Sequence, residues 1–147
     1  MRALARVPDL LAIAAQHGVD IVRHRGGEKG RWYPARRTIS LRAGLPARAE
    51  RCTLAHELGH AVLEHEAGAH LPQWLVEKQE RAADRWAAET LISEDAYRSA
   101  EASLGPHPGA IAVELGVTVH LLEIWRAPRC ANAGRSSEAA HSASLFP

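Results

Sequence analysis

The spacing of apolar and polar positions changes character several times along this chain of 147 residues. Leu10, Leu11, Ala14 and Ala15 recur at helical spacing and Gly18 follows as a natural stop, which predicts a short first helix. Val19-Asp20-Ile21-Val22 then alternates as a strand and Gly26-Gly27 marks a turn. Arg31-Trp32-Tyr33 and Thr38-Ile39-Ser40-Leu41 predict two more strands on either side of Pro34. The expectation is a small antiparallel sheet of about three strands.

From Pro46, a favoured first-turn residue, to about Glu66 the pattern predicts one long helix, with Gly68 and Pro72 beyond its end. A second strong helix runs from Glu77 to Ile92, and Ser93, backed by Glu94 and Asp95, has the chemistry of the N-cap of a third. Gly105-Pro106-His107-Pro108 breaks that one, and shorter helices follow at about 109–115 and 118–126. After Pro128 the chain turns to Ala and Ser without periodicity, so 128–147 is expected to be a disordered tail. The fold class is therefore α+β, with a small sheet packed on a mainly helical body and one domain over 1–127.

Composition fits this picture: 46% hydrophobic and 24% charged residues are the balance of a globular chain. The net charge of +1 is unevenly spread. Residues 1–52 hold eleven Lys/Arg against four Asp/Glu, a net +7, and residues 53–101 hold four against ten, a net −6. Mutual attraction of the two regions within one fold accounts for this without a nucleic acid. Cys52 and Cys130 lie far apart with no CxxC spacing, so neither a disulfide framework nor a cysteine-based zinc knuckle is implied. No stretch is long enough to span a membrane, and LLAIAA near the start is too short for a signal-peptide core. A reducing, cytoplasmic setting is expected.

The chemistry concentrates in HELGH at 56–60. On a helix, His56 and His60 point to the same side, about 40° apart around the axis, and can grip one ion together. Glu57 sits where a carboxylate reaches a water on a zinc ion without ligating it. Three fixed letters arise readily by chance, so context has to decide. Leu54, Leu58, Ala61 and Val62 gather on the face opposite the histidines, so one side of the helix can enter a core while the other presents the pair.

A catalytic zinc needs a third protein ligand. Leu63 and Glu66 stand where HExxHxxGxxH would require Gly and His, which excludes that pattern. In the next helix Glu80, Ala83, Asp84, Ala87 and Leu91 form one stripe whose small and apolar members face a core. Glu80 can ligate zinc while Asp84 accepts the free N–H of a ligand histidine, with Glu77 and Asp84 itself as weaker ligand alternatives. His65 and His70 share no helix face with the pair and are expected on the rim, His65 on the opposite side.

TLAHELGH at 53–60 followed by ERAADRWAAETLIS at 80–93 resembles the ImmA/IrrE metallopeptidases, which are gluzincin-like. Their second motif is matched here by Glu80, Ala83, Asp84, Trp86, Ala87, Ala88, Glu89, Leu91 and Ile92; Thr90 and Ser93 depart from it. The resemblance covers roughly residues 10–126. It implies a zincin-like domain with HExxH on the active-site helix, Zn2+ held by His56, His60 and Glu80, and Glu57 as general base. It also implies a protein substrate, a helix-turn-helix repressor of a mobile element or stress response. The oxyanion of such a reaction needs a donor besides the metal, and Tyr33, Tyr97, His107 and His120 are the candidate side chains.

Two other readings compete. IAVELGVTVHLLEIWR at 111–126, within a subregion spanning 109–126, has helix-turn-helix spacing and suggests a DNA-binding regulator. Its second helix carries only Arg126 as a cation, and Leu121, Leu122, Ile124 and Trp125 are packing residues, which argues against it. A zinc-containing protein that sequesters a repressor without hydrolysis would be marked by a lost base or ligand, and Glu57, His56, His60 and Glu80 are all present.

Overall fold

A computed structural model describes residues 8–135. A first helix, α1 (Leu10–Gln16), is capped by Asp9, whose carboxylate accepts from the Ala12 amide at 3.1 Å. Strands β1 (Asp20–His24), β2 (Gly30–Tyr33) and β3 (Thr38–Arg42) follow, with a short 3-10 turn at Pro34–Arg36 between the last two. Next come α2 (Ala47–Val62), α3 (Gln73–Leu91), α4 (Glu94–Leu104), α5 (Pro108–Leu115) and α6 (Val119–Arg135).

The expected antiparallel sheet is instead mixed. The strand order is β1-β3-β2, with β2 antiparallel and β1 parallel to β3. Alternation identifies strands but fixes neither order nor direction. Here β3, whose Ile39 and Leu41 are fully buried, takes the centre, and residues 25–37 are long enough to carry the chain across the sheet. His24 holds that crossover in place: it accepts from the Ser40 hydroxyl through Nδ1 at 2.6 Å and donates from Nε2 to the Glu28 carbonyl at 2.8 Å.

The expected helices form, with shifted ends. α2 stops at Val62, short of Glu66, because Glu64 takes a left-handed φ of 54° and turns the chain back. The His65 amide then donates to the His60 carbonyl at 2.9 Å. Ser93 caps α4 by accepting from the Ala96 amide at 3.2 Å. α6 continues past Pro128 to Arg135, so the first part of the expected disordered tail is helical, in keeping with the helix propensity of Ala127, Ala131 and Ala133. The rest of that tail lies outside the described residues.

The core gathers Ile39 and Leu41 from the sheet, Leu58 from α2, Ile111 and Val117 around α5, and Leu122 from α6. α5 and α6 meet at the left-handed Gly116, bent by 103°, so the helix-turn-helix shape read from the sequence is present. Leu121, Leu122 and Trp125 of its second helix are buried, and over 119–127 Val119, His120, Glu123 and Ala127 are exposed. Those exposed positions carry no Lys or Arg with which to read bases. Among the described residues no single helix is long and apolar enough to cross a membrane.

α2 and α3 cross tightly where Gly59, between the two histidines, lies on the backbone of Ala83. A Cβ at Gly59 would sit 2.9 Å from the Ala83 carbonyl oxygen and 3.0 Å from its Cα. Helix propensity alone favours Ala at this position, but the contact is with rigid backbone, so strain outweighs it. Gly59→Ala is expected to destabilise the protein by about 1–3 kcal/mol, read from the urea midpoint; an unchanged or raised midpoint contradicts the tight crossing.

Candidate metal centre

The α2–α3 crossing brings three groups to one point. Nε2 of His56 and Nε2 of His60 are 3.1 Å apart, and the Glu80 carboxylate reaches them at 3.2 and 3.1 Å. Four ligands on a zinc ion at about 2.0–2.1 Å would be separated by roughly 3.3 Å along each tetrahedral edge. The spacing and the donor types therefore fit a metal ion, and these three are the group of His, Cys, Asp and Glu side chains among the described residues able to hold one.

His56 and His60 come from one face of α2, their rings edge to face with centroids 4.8 Å apart. Glu80 ends the inward stripe of α3. Ala83, Ala87 and Leu91 of that stripe are buried and Asp84 half-buried, while the Glu80 side chain is 52% exposed and reaches over the rim. Asp84 sits one turn further on, where its Oδ1 accepts from His56 Nδ1 at 2.7 Å. That bond orients the ring so that Nε2 faces His60 and Glu80, the nitrogen that would present its lone pair to a metal. The other Asp84 oxygen accepts from His120 Nε2 at 2.8 Å, so α6 also reaches the centre.

Glu57 is buried beside the pair, 8% exposed. Burial raises its pKa, while the two imidazoles and the Trp32 backbone amide pull it back down. Its place depends on Gly30 in β2, where a Cβ would lie 2.6 Å from the Thr53 methyl and 3.0 Å from Glu57 Cγ. Burial works to keep His56 neutral, but its hydrogen bonds to Asp84 and Glu80 win, and its pKa is raised to about 10. Hydrogen bonds from His56 and His60 hold the Glu80 carboxyl far below the usual carboxylate range. Asp84 is lowered as well: burial opposes this, and His56 and His120 overcome it.

Two clefts meet here. One, of about 540 Å³, is walled by β2 (Gly30, Arg31, Trp32), by the α2–α3 loop (Glu66, Ala67, Gly68, Ala69, Leu71) and by Val76, Gln79 and Glu80. The other, of about 380 Å³, runs past Lys29, Thr53, Asp84, Thr118 and His120. Gly30, His56 and Glu57 line both, so they form one trough passing over the histidine pair. The Gln79 side chain pins the loop wall by accepting from the Glu66 amide at 2.9 Å and donating to the Glu66 carbonyl at 3.0 Å.

Sequence reasoning placed His56, Glu57, His60, Glu80 and Asp84 together, and the fold does so too. Of the four candidate oxyanion donors, only His120 lines the trough, and its Nε2 is engaged by Asp84. The Tyr33 ring lies against the Arg31 and Arg36 guanidinium groups. The Tyr97 hydroxyl donates to Glu101 at 2.9 Å and its ring packs on Trp125, and His107 stands at the N-cap position of α5 without a side-chain cap bond. None of these three lines either cleft.

His65, expected on the far side, lies against His60, with the two Nδ1 atoms 2.9 Å apart. Burial lowers its pKa, and the charge of His60 adds to the effect. The reason for its position is the early end of α2, a backbone event no side-chain pattern announces. Exposed His70 lies over Gly68 and is not one of the three grouped residues. Gly30 and Gln79 carry no motif and went unmarked.

Residues 14–124 match the family model of the IrrE N-terminal-like domain, a peptidase family designated M78. The chain belongs to this family. The match takes in the sheet, HELGH and the Glu80 helix, and agrees with the ImmA/IrrE resemblance. No curated protein matches the chain. A metallopeptidase-type function follows from the family, and the triad supplies a place for the metal.

The charges predict a pH profile for chelated protein. The stabilisation from His56, whose pKa rises from 6.5 to about 10, is complete below pH 6.5 and lost as pH climbs towards 10. That from Glu80, lowered from 4.5, is present above pH 4.5 and lost on acidification. Urea midpoints in EDTA are therefore expected to be highest between pH 4.5 and 6.5 and to fall on the alkaline side, with Asp84→Asn flattening that fall. A wild-type midpoint constant from pH 6.5 to 10 contradicts the charge arrangement.

Proposed function

We propose that the protein is a zinc-dependent endopeptidase that acts in the cytoplasm on a helix-turn-helix transcriptional repressor, releasing transcription by cutting it. The observation that carries the proposal is the convergence of His56, His60 and Glu80 with buried Glu57 at their side, in a chain of a peptidase family. Two imidazoles and a carboxylate are a donor set suited to zinc. Zinc held there would supply Lewis acidity, polarising a peptide carbonyl and letting water lose a proton near neutral pH.

The remaining chemistry belongs to the chain. Burial keeps Glu57 basic enough to accept a proton from water, and the same carboxyl then delivers it to the leaving amine. Asp84 holds the His56 ring in orientation, and His120 anchors Asp84 from α6. The trough passes over the centre and continues on both sides, which supports cleavage within a chain and not only at its end. β2 is an edge strand that pairs with β3 alone among the described residues, and Gly30, Arg31 and Trp32 line the trough beside it. Its outer edge suits an extended peptide, which could pair with the backbone. The repressor as substrate rests on the family resemblance. The exposed positions of α6 over 119–127 carry no Lys or Arg and give no support to DNA binding by that stretch.

Incubating the zinc-loaded protein with the repressor encoded beside its gene is expected to give one defined cut. Glu57→Gln should lower the rate by about 10²–10⁴-fold while zinc stays bound at one equivalent. Cleavage by the variant at the wild-type rate would overturn the role of Glu57, and binding of an uncut repressor by the wild-type protein would favour sequestration instead.

A further inference from the structure

The two histidines of the triad are served differently at their outer nitrogens. His56 donates from Nδ1 to a carboxylate, Asp84, whereas the partner of His60 Nδ1 is a third imidazole, His65, at 2.9 Å. We infer that His65 is a positioning residue whose Nδ1 accepts the Nδ1–H of His60, fixing the tautomer and ring angle that aim His60 Nε2 at the metal. The inference rests on the proposed zinc site and extends it to a residue outside both motifs.

The direction of the bond follows from the geometry on the other side of the ring. His60 Nε2 lies 3.1 Å from both His56 Nε2 and the Glu80 carboxylate. To ligate, that nitrogen must present a lone pair, so the proton of a neutral His60 ring sits on Nδ1. An Nδ1–H half-buried against the loop needs an acceptor, and His65 Nδ1 is the one within reach.

His65 is itself held on three sides. Its amide donates to the His60 carbonyl at 2.9 Å, its carbonyl accepts from Trp32 Nε1 at 3.3 Å, and the next residue, Glu66, is clamped by Gln79. These backbone bonds fix the point from which the His65 ring extends to His60. The ring also differs from a carboxylate in adding no charge to a centre that already has Glu57, Glu80 and Asp84 around it.

The test is zinc affinity of the full chain, measured by competition with a chromophoric chelator, together with thermal melting of the chelated protein. His65→Ala is expected to weaken zinc binding 10–100-fold. His65→Asn, whose Oδ1 falls where Nδ1 was, should recover most of that loss, with both chelated variants melting within about 2 °C of the wild type. Wild-type affinity in His65→Ala overturns the inference and leaves the proposed function standing. Equal weakening in both variants also overturns it, since a lost acceptor would then not be the cause. A wild-type chain that binds no zinc sinks the proposed function and this inference with it.

Discussion

The close approach of α2 to α3 is the constraint on which the rest depends. HELGH on its own brings two imidazoles together; the carboxylate that could complete a metal site comes from a different helix and arrives within about 3 Å of both. Gly59, between the histidines, removes the side chain that would hold the helices apart, and Ala83, one turn beyond Glu80, presents bare backbone to it. The Ala-Ala pair at 87–88 continues the small surface, and both residues are fully buried. Small residues at the crossing therefore let the three groups converge, although none of them touches the centre.

Electrostatics at the centre are arranged in two layers. Glu80 and the two imidazoles face inward and attract one another strongly, which leaves Glu80 ionised and His56 disposed to hold a positive charge. A bound cation satisfies the same groups and takes the place of the proton. Around them Asp84, His120 and His65 fix ring orientation, and each arrives on a different element: α3, α6 and the loop after α2. Glu57 lies buried beside this network against Gly30, where burial raises its pKa and the two imidazoles and the Trp32 amide lower it, the setting on which its proposed role as base rests.

Much of this was legible in the sequence, for identifiable reasons. Helical periodicity gave α2 and α3, and the requirement for a third ligand pointed to Glu80 and Asp84 on an inward stripe. The Ser93 cap was legible because a cap is a local event. Properties that depend on chain reversal were not. The central place of buried β3 and the parallel direction of β1 beside it are both properties that alternation does not encode. His65 was misplaced because a helical wheel was extended through Glu64, whose left-handed backbone ends the wheel. Tyr33, Tyr97 and His107 were eligible by chemistry alone, and the fold places each of them outside both clefts.

The central claim, a metal held by two histidines of α2 and one carboxylate of α3, is tested most directly by X-ray absorption at the zinc edge on the full chain loaded with one equivalent. The account predicts two imidazole nitrogens and oxygen donors at about 2.0–2.1 Å, with no sulfur, and loss of one imidazole in His60→Ala. A sulfur donor, or a spectrum unchanged by His60→Ala, would contradict it.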